Sequence, residues 1–455
     1  ATQANKNKIR RNLKTRHLSM IAIGGSIGTG LFMASGSAIH MAGPGGALVA
    51  YAAIGLMVYF LMTSLGEMAT HLPVSGSFST YAAKFVDPSL GYALGWNYWF
   101  NWVITVAADI SIAALVITYW EPMRFMPPWG WSLLFFGLIV LLNLLSVKAF
   151  GESEYWFAMI KVITVIVFLG VGVLTIFGLL GGEYVGLTNF TVGEAPFLGG
   201  GFPGSFLTML GVFLIAGFSF QGTELIGITA GESENPKESI PKAVKQVFWR
   251  ILIFYILAIL VIGLLVPYTS PELLGAESVE EIAKSPFTLV FERAGLAMAA
   301  AVMNAVILTS ILSAGNSGMY ASARMLYAMG KNGMAFKGFR KVNRFGVPMR
   351  AVLATAVVVM ALFLIEIFND GAYQYIVAAS GLTGFIAWLG IAISHYRFRR
   401  AYIAQGFDLK DLDYRAKWFP FGPLIALVLC VLVILGQDTE LVMSGAIAWQ
   451  RIMVT

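Results

Sequence analysis

Long runs of apolar residues alternate with short polar connections along most of the chain. A helix needs about 20 mostly apolar residues to cross a bilayer, so runs of this length predict transmembrane helices. We predict eleven spans, at 18–41, 46–70, 90–119, 129–147, 155–180, 203–230, 249–268, 294–322, 349–368, 372–396 and 419–436. The remaining residues, 437–455, are too short and too mixed for a full span, so we expect an incomplete twelfth helix.

The composition agrees with an integral membrane protein. Hydrophobic residues make up 58% of the 455 residues, charged residues make up 12%, and the mean hydropathy is +0.77. A soluble domain carries about twice that charged fraction. The apolar runs lack the ten-residue alternation of a membrane β-barrel, so they predict an all-α fold. The first run has no A-x-A-like cleavage site after it and therefore does not resemble a removable signal peptide.

The basic residues concentrate on one side of the predicted membrane. If residues 1–17 form a basic cytoplasmic tail, 25 of the 30 Lys and Arg residues fall in cytoplasmic segments. This asymmetry predicts a multi-pass protein of the cytoplasmic (inner) membrane with its N-terminus inside the cell. The net charge of +6 is thus a topology signal that favours anionic membrane lipids and not nucleic acid. No segment identifies a regulatory protein partner.

Two of the apolar runs are interrupted. Residues 24–30 of the first span hold four glycines, and residues 217–224 of the sixth hold two more with Gln221 and Glu224. Glycine weakens a helix, and backbone groups freed in lipid need protein, water or ligand as partners, so both stretches predict broken helices. Paired breaks in two halves of a chain mark a transporter's substrate site. The alternative is that small residues simply allow close helix packing.

Breaks in spans one and six fit an inverted repeat, because an odd number of spans per unit reverses the second unit. We therefore predict a 5+5 inverted-repeat transporter fold with additional C-terminal helices. The first five-helix repeat would occupy 18–200 and the second 201–400. Residues 401–455 would form a cytoplasmic loop, helix 11 and the incomplete twelfth helix.

One face of the third span combines aromatic and acidic side chains. Helical spacing puts Tyr98, Trp102, Thr105 and Asp109 on the same face. Ionisable groups inside spans are expensive to bury, so Asp109 is a functional candidate. The alternative is a carboxylate satisfied within the bundle, with the aromatic rings as packing.

Other polar groups inside the spans have two readings each. Lys161 lies about six residues into span five, roughly 9 Å from its predicted start. It could snorkel to the interface, or it could serve proton coupling, because buried lysines lose their proton readily. Glu224 could bind a cation or a proton, or it could cap the broken helix. Ser313 and Ser317 on span eight form either a packing seam or part of a site.

The sequence gives no indication of an enzyme. It has no H-E-x-x-H, no Cys/His metal spacing and no G-x-S-x-G elbow, and its single cysteine, Cys430, cannot form an intramolecular disulfide. We expect no cofactor and no metal. Glycine N–H groups at a half-helix start favour a carboxylate, and carbonyls at half-helix ends favour an ammonium group. Together they predict an amino acid as ligand, and Asp109 and Glu224 suit a cationic side chain.

Several motifs carry a family resemblance over nearly the whole chain. They are IGGSIGTGLF at 23–32, PVSGSF at 73–78, GWNYWFNW at 95–102, GFSFQGTELIG at 217–227, AGESENP at 230–236, SAGNSGMYASARMLY at 313–327 and ISHYRFRR at 393–400. In combination they resemble the bacterial amino acid permeases of the amino acid–polyamine–cation superfamily, most closely the permeases for lysine. Members of that family have twelve spans, and this sequence shows eleven.

The resemblance implies a substrate held between broken helices one and six. The carboxylate would meet the backbone of Gly28, Thr29 and Gly30, and the ammonium group would meet carbonyls near Ser26, Phe218 and Gln221. Phe218 matches an aromatic gate, and Lys161 matches the lysine that replaces a sodium ion in proton-coupled relatives. The implied substrate-binding set is Ser26, Ile27, Gly28, Thr29, Gly30, Tyr98, Trp102, Asp109, Phe218, Ser219, Gln221 and Glu224. The implied proton-coupling set is Lys161, Glu224, Ser313 and Ser317.

We therefore expect a secondary active transporter that imports L-lysine with protons by alternating access. One alternative is a broader cationic or aromatic amino acid permease or an exchanger. Another is a membrane sensor that binds an amino acid without transporting it, although paired helix breaks favour transport because a sensor needs no alternation.

Overall fold

The computed structural model describes residues 9, 11–193, 197, 201–274, 285–368 and 372–436. These residues form fourteen α-helices, with short 3-10 helices in several of the connections. The helices are α1 Thr15–Ser26, α2 Ser35–His71, α3 Ser77–Phe85, α4 Pro88–Val116, α5 Pro128–Leu144, α6 Val147–Ile176, α7 Gly201–Phe220, α8 Leu225–Thr229, α9 Pro236–Leu265, α10 Pro286–Arg293, α11 Ala297–Lys331, α12 Met349–Phe368, α13 Ala372–Ala404 and α14 Phe421–Gly436. The prediction of an all-α fold is confirmed.

The first two predicted spans are present, and the first is broken as predicted. Helix α1 ends at Ser26, Ile27 is extended (φ −80°, ψ 91°), and a π-helical turn at Gly30–Ala34 leads into α2. Within α2, Gly43 has φ 68° and ψ 169° and precedes Pro44. Positive φ suits glycine, and proline interrupts the helical hydrogen bonds, so this pair separates the first span from the second.

The sixth span is broken as well. Helix α7 ends at Phe220, residues 221–224 form turns, and α8 resumes for one short segment. Gly222 has φ 99°, a conformation that a residue with a side chain rarely adopts.

Two predicted boundaries were wrong in the same direction. Helix α6 begins at Val147 and not near 155, and α9 begins at Pro236 and not near 249, because polar first turns hid both helix starts. Ser146 caps α6 by accepting a hydrogen bond from the Ala149 N–H. Lys161 therefore lies fourteen residues into its helix, about 21 Å along it, which is too deep for snorkelling to that end. The short helices α3 and α10 were not predicted.

Six helical stretches among the described residues are long and apolar enough to cross a membrane, and the first, Thr15–His71, contains two predicted spans. Three shorter apolar helices, Pro128–Leu144, Met349–Ile365 and Phe421–Gly436, add to them. The predicted twelfth helix and most of the basic tail lie outside the described residues.

The helix contacts place the two breaks at the centre of the bundle. Helix α1 packs against α6, α9 and α11, α2 packs against α7 and α9, and α4 packs against α11 and α13. Since α1 and α8 also contact each other, the ends of both broken helices meet in the interior.

A buried ion pair joins α2 to α13 and to the segment before α14. The Arg399 guanidinium donates two hydrogen bonds to the Glu67 carboxylate, at 2.7 and 2.6 Å. The Ala416 N–H donates to the same carboxylate at 2.6 Å, and Arg399 also lies 4.4 Å from the centre of the Phe419 ring. Glu67 is 0% and Arg399 5% exposed, so each charge depends on the other.

Replacement of Arg399 should therefore destabilise the protein strongly. Loss of one partner from a buried pair costs about 3–5 kcal/mol, because the other charge stays buried without compensation. We expect Arg399→Met to lower the melting temperature of the solubilised protein clearly, and the double variant Glu67→Gln/Arg399→Met to lower it less. Arg397→Met, at an exposed position of the same helix, is the control. A double variant less stable than Arg399→Met would contradict the pairing.

Candidate functional site

The two helix breaks touch each other through their backbones. A Cβ atom placed on Gly222 would lie 2.5 Å from the Gly25 carbonyl carbon and 2.8 Å from the Ser26 nitrogen. A Cβ atom on Gly30 would lie 2.8 Å from the Ser219 nitrogen and 3.0 Å from the Phe218 oxygen. Real Cβ atoms do not approach so closely, so only glycine allows this contact at either position.

A small cavity lies between the breaks and α4. It is lined by Gly25, Ser26, Gly28, Thr29, Gly30, Trp102, Thr105, Asp109, Phe218, Gln221 and Ala314. Its volume is about 20 Å³, whereas a single water molecule needs roughly 10–15 Å³. The cavity therefore has space for about one water molecule, and a larger ligand requires the breaks to separate.

Asp109 supplies the carboxylate of this cavity. Its Oδ1 accepts a hydrogen bond from the Thr29 hydroxyl at 2.5 Å, and its side chain is 1% exposed. Its Oδ2 has no hydrogen-bond partner among the described residues. A buried carboxylate oxygen without a donor is costly, so this atom is suited to a cationic or hydrogen-bond-donating ligand.

Glu224 has a different environment from Asp109. The Gly222 N–H lies 3.1 Å from both of its carboxylate oxygens, the Tyr98 hydroxyl donates to Oε1 at 3.1 Å, and the Trp388 indole donates to Oε2 at 3.3 Å. The carboxylate thus satisfies an N–H group that the break releases from α7. This geometry matches the capping role that the sequence left open.

Tyr255 of α9 connects the two breaks. Its hydroxyl lies 2.7 Å from the Ser26 carbonyl oxygen and 2.6 Å from that of Ser219, and its side chain is 0% exposed. A phenol has one proton, so it can donate to only one of these carbonyls at a time. Sequence reasoning missed this residue, because a tyrosine in an apolar span gives no local signal.

Lys161 reaches the first broken helix. Its ammonium group, on a side chain only 1% exposed, donates a short hydrogen bond to the Gly24 carbonyl oxygen. No carboxylate among the described residues lies within 4.0 Å of it. The lysine therefore touches helix α1 two residues before its last helical residue.

Ser313 and Ser317 meet a residue that the sequence analysis did not consider. Both hydroxyls donate to Oε2 of Glu154, at 2.8 and 3.2 Å, and the Asn316 amide donates to Oε1 at 2.7 Å. Glu154 was missed because the predicted span began at 155, one residue too late to include it. Its sequence signal was the seven-residue spacing from Lys161, which puts both on one helix face.

The fold resembles that of one solved structure. The crystal structure of MhsT in complex with L-phenylalanine aligns with a TM-score of 0.64 at 14% sequence identity, covering 95% of this chain and 100% of MhsT. At that identity the likeness concerns the fold alone.

The sequence comparison is decisive at the level of the family. The sequence model of the amino acid permease family matches residues 17–451. The chain belongs to this family. The expectation of a transport protein and not an enzyme is thereby confirmed.

The permease has similar relatives with stated substrates. The lysine-specific permease LysP of Escherichia coli (strain K12) is 59% identical over 449 residues, which cover 98% of this chain and 90% of LysP. LysP of Lactococcus lactis subsp. cremoris is 58% identical, covering 95% of this chain and 85% of the relative. The histidine permease HisP of the same Lactococcus is 53% identical, covering 97% and 91%.

The structure gathers most of the predicted binding residues of this permease at the cavity. Eight of them line it, and Tyr98 and Glu224 lie in contact with each other next to it. Ile27 and Ser219 do not line the cavity. The Ile27 N–H donates to the Ile23 carbonyl, and the Ser219 hydroxyl lies 2.8 Å from the Tyr51 hydroxyl. Whether each residue binds substrate stays a prediction.

A methyl group at Gly30 should impair transport. The added Cβ would clash with the Ser219 backbone, and such overpacking costs about 1–3 kcal/mol. If transport requires the two breaks to come together, this cost corresponds to roughly a 5- to 100-fold loss in uptake rate. We expect this loss for Gly30→Ala in amino acid uptake by reconstituted protein. Gly170→Ala, where the added Cβ meets nothing within 4 Å, is the matched control. Equal uptake by the two variants would show that the backbone contact is not needed.

Proposed function

We propose that this permease imports L-lysine by proton symport with alternating access. The observation that carries the proposal is the buried Asp109 carboxylate, which has one unpartnered oxygen and lines a cavity between two broken helices. The identity of 58–59% to two lysine-specific permeases over nearly the whole chain supports lysine as the substrate.

The backbone of the amino acid would bind at the breaks. The N–H groups around Gly28, Thr29 and Gly30 would take the α-carboxylate, because they begin the second half of the broken helix. Carbonyls near Ser26, Phe218 and Gln221 would take the α-ammonium group. Tyr255 leaves one carbonyl free at any time, which agrees with an acceptor for a cation.

The side chain of lysine would be recognised by Asp109 in preference to Glu224. Glu224 already receives hydrogen bonds from a backbone N–H, a phenol and an indole, and it does not line the cavity. Asp109 lines the cavity and receives one hydrogen bond, from Thr29. Glu224 would therefore hold the break in shape while Asp109 compensates the ε-ammonium charge.

The size of the cavity supports alternating access. About 20 Å³ cannot contain lysine, so lysine would bind at this site only after the helices move apart. Phe218 would close over the bound amino acid. We infer that the two predicted repeats, 18–200 and 201–400, provide the moving units, and that the basic tail lies in the cytoplasm of a cytoplasmic-membrane protein.

Lys161 would couple protons to this movement. Its ammonium group holds the Gly24 carbonyl, so loss of the proton would weaken a contact with α1. A ligand or proton drives a conformational change only when it binds the two states with different affinity. Lys161 would meet that requirement if its contact with the broken helix is made in one state and lost in the other.

The direct test is uptake of radiolabelled lysine into proteoliposomes under an inward proton gradient. Accumulation that a protonophore abolishes and that excess lysine blocks supports the proposal. Histidine and arginine serve as competitors, because HisP is 53% identical to this chain. Equal block by these amino acids would indicate a broader cationic permease. Uptake that requires internal amino acid and does not depend on the proton gradient would indicate an exchanger. Binding of lysine without flux would indicate a sensor.

Asp109→Asn should reduce the preference for lysine. The charge-assisted hydrogen bond lost from the ε-ammonium group is worth about 1.5–3 kcal/mol, so we expect the KM for lysine to rise roughly 10- to 100-fold. L-norleucine, which lacks the ε-ammonium group, is the matched ligand. Its inhibition constant for lysine uptake should be the same in the variant and in the wild type. A parallel loss of lysine and norleucine binding would assign Asp109 a structural role.

Lys161→Ala should uncouple lysine movement from protons. The variant should fail to concentrate lysine against its gradient when a proton gradient is imposed, while exchange of internal for external lysine continues. Exchange shows that the protein is folded and inserted. A variant that still concentrated lysine would remove Lys161 from the mechanism.

A further inference from the structure

Glu154 is a buried carboxylate on α6 that the proposed lysine transport does not yet use. It is 0% exposed, and it lies two helical turns before Lys161 on the same face. A carboxylate in the interior of a membrane protein is expensive, and in a bundle it usually has a partner of opposite charge or a function.

The hydrogen bonds of Glu154 come from one face of a single neighbouring helix. Ser313, Asn316 and Ser317 of α11 all donate to it, at 2.7 to 3.2 Å. Asn316 in turn accepts a hydrogen bond from the Asn143 amide of α5 at 2.7 Å. These uncharged donors orient the carboxylate, but they do not neutralise its charge.

The cation Lys161 and the Glu154 carboxylate both lie next to Gly24. Lys161 donates to the Gly24 carbonyl, and a Cβ atom placed on Gly24 would lie only 3.1 Å from Oε2 of Glu154. One glycine of the first broken helix thus lies between an ammonium group and a carboxylate that belong to the same face of α6. The missing side chain of Gly24 leaves room for the Glu154 carboxylate beside the residue whose carbonyl Lys161 contacts.

We propose that Glu154 is the counter-charge of Lys161 and positions it against the first broken helix. The pair leaves the interior between α1, α6 and α11 neutral while Lys161 carries its proton. When that proton leaves for water, the Glu154 carboxylate remains without compensation and α11 loses part of its attachment beside α1. The link to transport rests on the proposed proton symport, whereas the pairing of the two charges does not.

The other charged groups on the packed helices are engaged elsewhere. Asp109 of α4 is the second carboxylate near this region, and Thr29 holds it at the substrate cavity. Arg16 and His17 of α1 pair with Glu152, Arg324 of α11 pairs with Glu232, and Arg293 of α10 pairs with Glu272. The Tyr255 hydroxyl of α9 lies within hydrogen-bond distance of backbone carbonyls, and the lysines of α9 are exposed. Glu154 is thus the carboxylate that shares a backbone neighbour with Lys161.

The pairing is tested by a double-mutant cycle in melting temperature, measured on purified protein at neutral pH with Glu154→Gln, Lys161→Gln and both together. Each single variant leaves one member of the proposed pair without its counter-charge, and the double variant removes both charges of the pair. We expect the double variant to melt higher than the sum of the single shifts predicts, by on the order of 3 °C. Additive shifts would overturn the proposal.

Matched controls separate charge from packing. Asn304 is 0% exposed on α11 and donates to the Val116 carbonyl, so Asn304→Ala removes a buried hydrogen bond away from Lys161. Its shift should add to that of Lys161→Gln. If Glu154→Gln fails to accumulate in the membrane, Lys161→Gln in the same chain should restore accumulation. Absence of this rescue would also overturn the pairing.

The pH dependence of uptake tests the consequence for transport. Without the carboxylate, Lys161 holds its proton less tightly, so the pH midpoint of lysine uptake in Glu154→Gln should move to lower pH by about one unit. Glu154→Asp keeps the charge and should keep the midpoint. An unchanged midpoint in Glu154→Gln would leave Glu154 as a packing residue. If uptake by the wild type does not depend on the proton gradient, the proposed proton symport is wrong. The double-mutant cycle in melting temperature still tests the pairing of Glu154 with Lys161 in that case.

Discussion

Peptide groups that leave a helix inside a bilayer must find partners, and this requirement shapes the centre of the permease. Three side chains supply part of what the two breaks need. Glu224 accepts from the Gly222 N–H, Tyr255 lies within hydrogen-bond distance of a carbonyl in either break, and Lys161 donates to Gly24. All three contacts fall at or beside the backbone that lines the cavity.

Charge in the interior follows a similar rule. Two kinds of deeply buried ionisable group stand out: Glu67 has a direct ionic partner in Arg399, whereas Asp109, Lys161 and Glu154 have no ionic partner within 4.0 Å among the described residues and lie beside the cavity and α1. The first kind holds the bundle together at one end. The second kind lies where the helices would separate in the proposed transport cycle, so its neutrality would then depend on protons and substrate.

Hydropathy and glycine content were enough to predict the long apolar helices and both breaks, because burial in lipid leaves long apolar runs and broken helices need glycine. Hydropathy could not locate helix starts that are polar, so the predicted fifth span began too late and did not include Glu154. Helical spacing predicted the face with Trp102 and Asp109, since that information is local. Tyr255 depends on contacts between distant segments, and a single sequence does not contain them. The predicted inverted repeat stays a prediction.

The contact at Gly30 and Gly222 has a mechanical consequence. Side chains that separate two helices can change rotamer and absorb a small displacement, but here main chain meets main chain and nothing lies between to yield. If one broken helix moves in the proposed cycle, its shift would be passed to the other at full amplitude or would part them altogether. The contact would then act as a stiff joint, and geometry would disfavour intermediate openings before any ligand is considered.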